Sequence, residues 1–151
     1  MVADLAVLAK DFPETILIAE VKERDLAGQD QDRAVEDLAK YMWRTHCHYG
    51  LLITPTQTHI LRDTFEGRGP SSIHLTNTFD TPTLLAGRSQ TIGWPSGPSH
   101  RELETLAREW LGRLTTDYEE ALTDDPEITR ALFPEIVSAV ADGRVVAEAS
   151  V

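Results

Sequence analysis

Two carboxylates and one amine near the start of the chain carry the chemistry available to this sequence. Glu20-Val21-Lys22 ends an otherwise apolar run, 16–21, and Asp4 stands just ahead of another, 5–9. Side chains alternate along a strand, so Glu20 and Lys22 project to one face while Ala19 and Val21 project to the other. Charged groups at the end of a buried strand are costly unless they are paired or used. Two carboxylates about one strand spacing apart can hold Mg²⁺ with several of its waters retained. Such an ion polarises a phosphodiester and lowers the pKa of a bound water. A lysine beside it can orient that water, help deprotonate it, or offset charge developing on phosphorus. The chemistry implied is metal-assisted phosphodiester hydrolysis; the plain alternative is an edge-strand ion pair.

The elements that must position these groups follow from the pattern around them. The runs 5–9 and 16–21 are separated by Lys10-Asp11-Phe12-Pro13-Glu14, a turn-like insert, which predicts a β-hairpin. Loop length sets its register. A three- or five-residue loop puts Asp4 opposite Glu20, whereas a four-residue loop puts Asp4 opposite Val21 and aims its carboxylate away. The hydrolytic reading therefore predicts an odd loop. After the break at Gly28-Gln29-Asp30, Ala34, Val35, Leu38, Tyr41 and Met42 recur at helical spacing and predict a helix over 30–45. Strands are expected at 49–53, ended by Thr54-Pro55, and at 58–65.

This arrangement resembles the PD-(D/E)xK nuclease superfamily, the restriction-endonuclease-like fold, over about residues 1–65. The resemblance rests on Ala3-Asp4 before a strand, the hairpin, Ile18-Ala19-Glu20-Val21-Lys22, the helix, Tyr49-Gly50-Leu51-Leu52-Ile53-Thr54-Pro55 and Ile60-Leu61-Arg62. It implies an α/β fold: a mixed-sheet core with flanking helices, N-terminally short, followed by a C-terminal helical segment. It also implies a nuclease, with DNA the expected substrate, working alone or within a larger DNA-processing or defence assembly. The family's metal-binding aspartate maps onto Asp4, its second acidic ligand onto Glu20, its backbone ligand onto the carbonyl of Val21 and its lysine onto Lys22. Mg²⁺, or Mn²⁺, would be the cofactor. Arg24, Gln31, Lys40 and Arg62 are the candidates for substrate contact, although Lys40 and Arg62 also read as ordinary solvated charges. Ala3 replaces the usual proline. The family normally has a helix and a strand ahead of the aspartate, and that helix often supplies another acid. Here an upstream segment, a second subunit or the C-terminal helices would have to fill that place. A catalytically silent member of the same fold, acting as an interaction module, is the competing reading.

Other suggestive residues have blander explanations. His46-Cys47-His48 lies at a helix end, where neighbours diverge by about 100° each and do not converge on one ion. Ser99-His100-Arg101-Glu102 has the form of a capping box. It opens a helix whose apolar face, from Leu103 through Trp110 to Leu122, reads as core or interface. Asp125-Pro126 caps a second helix, Pro134 interrupts it and Gly143 ends it. The region 66–98, rich in Gly, Pro, Ser and Thr, is expected to be mostly loop, with short pieces at 72–75 and 83–86 and Trp94 as its packing anchor. The domain reading is thus a core at 1–65, a connecting region at 66–98 and a helical segment at 99–151.

Composition bounds the rest. Among 151 residues, 14 Lys+Arg face 25 Asp+Glu, a formal net charge of −11, which excludes a broad charge-driven grip on nucleic acid. Residues 1–65 hold 7 basic and 11 acidic residues, net −4, whereas residues 99–151 hold 5 and 12, net −7. The excess therefore lies mainly outside the candidate site. At 41% hydrophobic residues the chain can build a core. A single cysteine excludes an internal disulfide, and no run is long enough to span a membrane. A cytoplasmic location and a homodimer or partner subunit are the remaining expectations.

Overall fold

The computed structural model describes residues 3–11, 14–87 and 94–149, with the side chains of 148 and 149 excepted. Six strands form one mixed sheet: β1 (Ala3–Leu8), β2 (Thr15–Val21), β3 (Tyr49–Ile53), β4 (Gln57–Asp63), β5 (Ile73–Asp80) and β6 (Arg144–Ala149), in the order β5-β4-β3-β2-β1-β6. Only β2 and β3 run parallel; every other neighbouring pair is antiparallel. A parallel pair needs a crossover, and α1 (Gly28–Thr45) supplies it.

Alternation along the strands gives each sheet face its own core. On one face Ala6, Ile18, Leu52 and Leu61 pack with Leu38 and Met42 of α1. On the other, Leu5, Val7, Leu17, Ala19, Val21, Leu51 and Ile53 meet the C-terminal helices α3 (His100–Thr116), α5 (Pro126–Leu132) and α6 (Glu135–Val140). Trp110 is fully buried at the centre of this second layer, where its indole N–H donates to the carbonyl of Ala121 at 3.1 Å. Ala121 belongs to α4 (Tyr118–Ala121), so the helix expected to run on to Leu122 is broken at Asp117. Trp94 packs against this layer as expected.

Two strands exceed the expectation. β5 starts within the short piece expected at 72–75 but runs on to Asp80, and it leads into the short α2 (Thr81–Ala86), which covers the piece expected at 83–86 and is capped by the Asp80 side chain. Its Thr, Asn and His residues conceal a strand because it lies at the sheet edge, with much of its surface in solvent. β6 follows Gly143, where the last helix was expected to end, and pairs with β1 from Leu8↔Arg144 to Ala3↔Ala149. Gly143 makes that return possible: a Cβ there would lie 2.7 Å from Val7 Cγ1 and 2.8 Å from the Leu8 carbonyl oxygen. β6 thus flanks β1 on the edge away from β2.

The hairpin reaches the expected register by an unexpected route. Ala9 N–H donates to the Glu14 carbonyl at 2.8 Å, enclosing four residues, 10–13, not three or five; Phe12 and Pro13 themselves lie outside the described residues. Pairing starts at Leu8↔Thr15 but shifts to Val7↔Leu17 and continues to Leu5↔Ala19. The extra residue, Ile16, is a β-bulge that cancels the even loop. One further step brings Asp4 level with Glu20.

Candidate metal centre

Pairing between β1 and β2 reaches Leu5↔Ala19, and beyond it the Asp4 side chain takes over from the backbone. Asp4 Oδ2 accepts the Val21 N–H at 2.7 Å. Glu20 comes from the neighbouring strand, and its Oε1 lies 3.4 Å from Lys22 Nζ. On the other side of Lys22, its backbone N–H donates to the Ile53 carbonyl at 2.8 Å, which fixes the base of the side chain against β3. Asp4, Glu20 and Lys22 therefore converge at one end of β2.

The electrostatics of this end are unbalanced. Glu20 Oε2 is buried and has no hydrogen-bond partner among the described residues. Burial, and then the negative charge of Asp4, push the Glu20 carboxyl above its ordinary value, against the opposing pull of Lys22. An orphaned buried carboxylate oxygen beside a second carboxylate is the arrangement that a bound cation relieves.

The sequence reading missed two groups that meet Asp4. His100 Nε2 lies 3.4 Å from Asp4 Oδ1, and His100 Nδ1 lies 3.6 Å from Glu104 Oε2. One ligand atom from each of Asp4, His100 and Glu104 can be chosen so that all lie within 4.8 Å of one another, a spacing that could hold a metal ion. The Ser99 capping box sets where α3 begins, and the i, i+4 spacing then puts His100 and Glu104 on one face. His-x-x-x-Glu beginning inside the capping box was the available signal; nothing local connects it to Asp4.

Of the remaining candidates, Gln31, Lys40 and Arg62 lie elsewhere. Arg24 is exposed in the segment directly after β2. Gln31 and Lys40 line a groove between α1 and the 70–75 segment, which none of Asp4, Glu20 or Lys22 lines, and Lys40 Nζ pairs with Glu36 at 3.0 Å. Arg62 opposes Tyr49 at the start of β3, whereas Ile53, at its far end, is level with Val21. Its guanidinium is already engaged by Glu135 Oε2 at 2.7 Å and by the Ala131 carbonyl. The His46-Cys47-His48 run forms no ligand group among the described residues, and Cys47 instead donates to the Tyr49 carbonyl at 3.2 Å. Asp125 caps α5.

No family profile matches the chain, and no curated protein or solved structure matches it significantly. What the chain itself defines is an α/β protein built on a six-stranded mixed sheet, with an Asp/His/Glu group able to hold a metal beside the Glu20–Lys22 pair. No helix among the described residues is long and apolar enough to cross a membrane.

Proposed function

We propose that this protein is a divalent-cation-dependent nuclease, hydrolysing phosphodiester bonds of DNA at the end of β2. The observation that carries the reading is the buried, unpartnered Glu20 Oε2 beside Asp4, with Lys22 Nζ 3.4 Å from the other oxygen of the same carboxylate. Asp4, Glu20 and the Val21 carbonyl would hold Mg²⁺ or Mn²⁺, with His100 Nε2 3.4 Å from Asp4 Oδ1. When bound there, the cation supplies positive charge to the scissile phosphate and acidity to a water.

The chain's own groups account for the rest. Lys22 is about two-fifths exposed at its side chain, so its ammonium reaches solvent and can donate hydrogen bonds to a non-bridging phosphate oxygen as charge builds there. The backbone bond from Lys22 to Ile53 limits how far that amine wanders. Glu20, whose proton affinity is raised, can accept a hydrogen bond from the attacking water and orient it. A P–O bond to the water oxygen forms as that water gives up a proton to solvent, the P–O bond to the sugar breaks, and the departing oxygen takes a proton from solvent.

One observation favours the second reading, a catalytically silent interaction module of similar build. Asp4 Oδ2 already accepts the Val21 N–H, so this side chain serves the fold even without a cation. Incubation with single- and double-stranded DNA and with RNA, with Mg²⁺ or Mn²⁺ and against Lys22→Ala, separates the two. Cation-dependent cleavage that falls at least about 100-fold in Lys22→Ala supports the nuclease. No cleavage by the wild type, together with no cation bound in calorimetry, overturns it.

A further inference from the structure

His100 is flanked by carboxylates on both ring nitrogens, with Asp4 Oδ1 3.4 Å from Nε2 and Glu104 Oε2 3.6 Å from Nδ1. An imidazole that ligates an ion keeps one N–H and uses the lone pair of its other nitrogen, so the carboxylate that faces the N–H decides which nitrogen can bind. The two carboxylates are unequal. Asp4 already accepts the Val21 N–H, whereas Glu104 has no other polar partner among the described residues. Glu104 also rides one turn further along the same helix, so its relation to the ring does not depend on how α3 sits on the sheet.

We propose that Glu104 is a positioning residue: it accepts a hydrogen bond from the Nδ1–H of His100, leaves the Nε2 lone pair facing Asp4, and so makes the centre select Mn²⁺ or another first-row divalent ion over Mg²⁺. This rests on the reading that Asp4 and Glu20 hold a cation. The spacing suits it, because neighbouring ligands around an octahedral ion with bonds of about 2.1 Å lie about 3 Å apart, close to the 3.4 Å between Nε2 and Oδ1. Mg²⁺ prefers oxygen ligands and keeps its waters, whereas first-row transition ions accept imidazole readily. A carboxylate behind a ligating histidine fixes the tautomer and raises the basicity of the other nitrogen.

The test is calorimetric titration of the whole protein with Mn²⁺ and with Mg²⁺, combined with pulsed electron paramagnetic resonance of the Mn²⁺-loaded form. Nitrogen coupling to bound Mn²⁺ is expected in the wild type and absent in His100→Asn. Glu104→Ala should lower Mn²⁺ affinity by about 10–100-fold, the usual effect of removing such a partner, and change Mg²⁺ affinity far less. Glu104→Gln retains a carbonyl that accepts the Nδ1 proton and should restore much of the loss, which a merely structural helix residue would not do. Mn²⁺ bound without nitrogen coupling, or Glu104→Ala with an unchanged Mn²⁺/Mg²⁺ ratio, overturns the proposal while sparing the cation site. If the wild type binds no Mn²⁺, or binds it undiminished in Asp4→Asn, the cation reading itself falls and this proposal with it.

Discussion

Asp4 Oδ2 accepts the backbone N–H of Val21 at 2.7 Å, so a candidate metal ligand also continues the β1–β2 ladder where backbone pairing ends. The two roles separate by substitution. Asp4→Asn keeps a carbonyl oxygen for Val21 and should fold with little loss, whereas Asp4→Ala leaves that N–H unpaired at a cost of about 1–3 kcal/mol. Both should lose cation binding. Denaturant titration and calorimetry on the pair check this, and equal stability of the two variants would contradict the ladder role.

The raised proton affinity of Glu20 makes the cation-free protein sensitive to pH. The folded state holds the Glu20 proton more tightly than the unfolded chain, so the associated stability is complete below the ordinary value of 4.5. It is lost as pH rises through the higher folded value. Glu20→Gln removes this loss. Thermal melting without divalent ions should therefore show the variant gaining on the wild type between acid and neutral pH. Saturating Mn²⁺ should reverse the order, because only the carboxylate binds the ion. Parallel pH profiles would contradict the assignment.

Cys47 should be chemically quiet. Burial pushes its thiol up to about 12, and the thiolate is the nucleophile. Labelling by a thiol-reactive disulfide at pH 8 is expected to be slow for the native protein and rapid in denaturant. Fast native labelling would mean that the end of α1 opens readily.

Arg62 is expected to matter for stability and not for the cation. Arg62→Ala removes the bond to the Ala131 carbonyl and the pair with Glu135, which joins β4 to α5 and α6. The cost should be about 1–3 kcal/mol. Glu135→Ala should cost less, about 0–1 kcal/mol, because Glu135 is largely exposed and its pair is screened. Cation affinity should be unchanged in both; a fall would place Arg62 at the site after all.

The parts of this fold that were legible in sequence are those written in local period. Alternation marked β2 and put Glu20 and Lys22 on one side, helical spacing marked α1, and Ser99 with Glu102 marked the start of α3. The loop of the hairpin was misjudged because residue counting cannot see Ile16 bulge out and restore the register. β6 was missed because its partner, β1, lies at the other end of the sequence, and pairing at that distance leaves no periodic trace. For the same reason the His100–Asp4 contact was invisible, although His100 and Glu104 stood at the right spacing on a helix already identified.

The placement of β1 between β2 and β6 has a consequence for the order of events during synthesis. The strand that begins the fold is flanked on one edge by the strand that ends it, so this edge stays open until residues 144–149 have been made. Asp4 emerges early, but the helix bearing His100 and the strand that seals β1 arrive late. The β1–β2 hairpin is flanked on both edges only once β6 has docked beside β1.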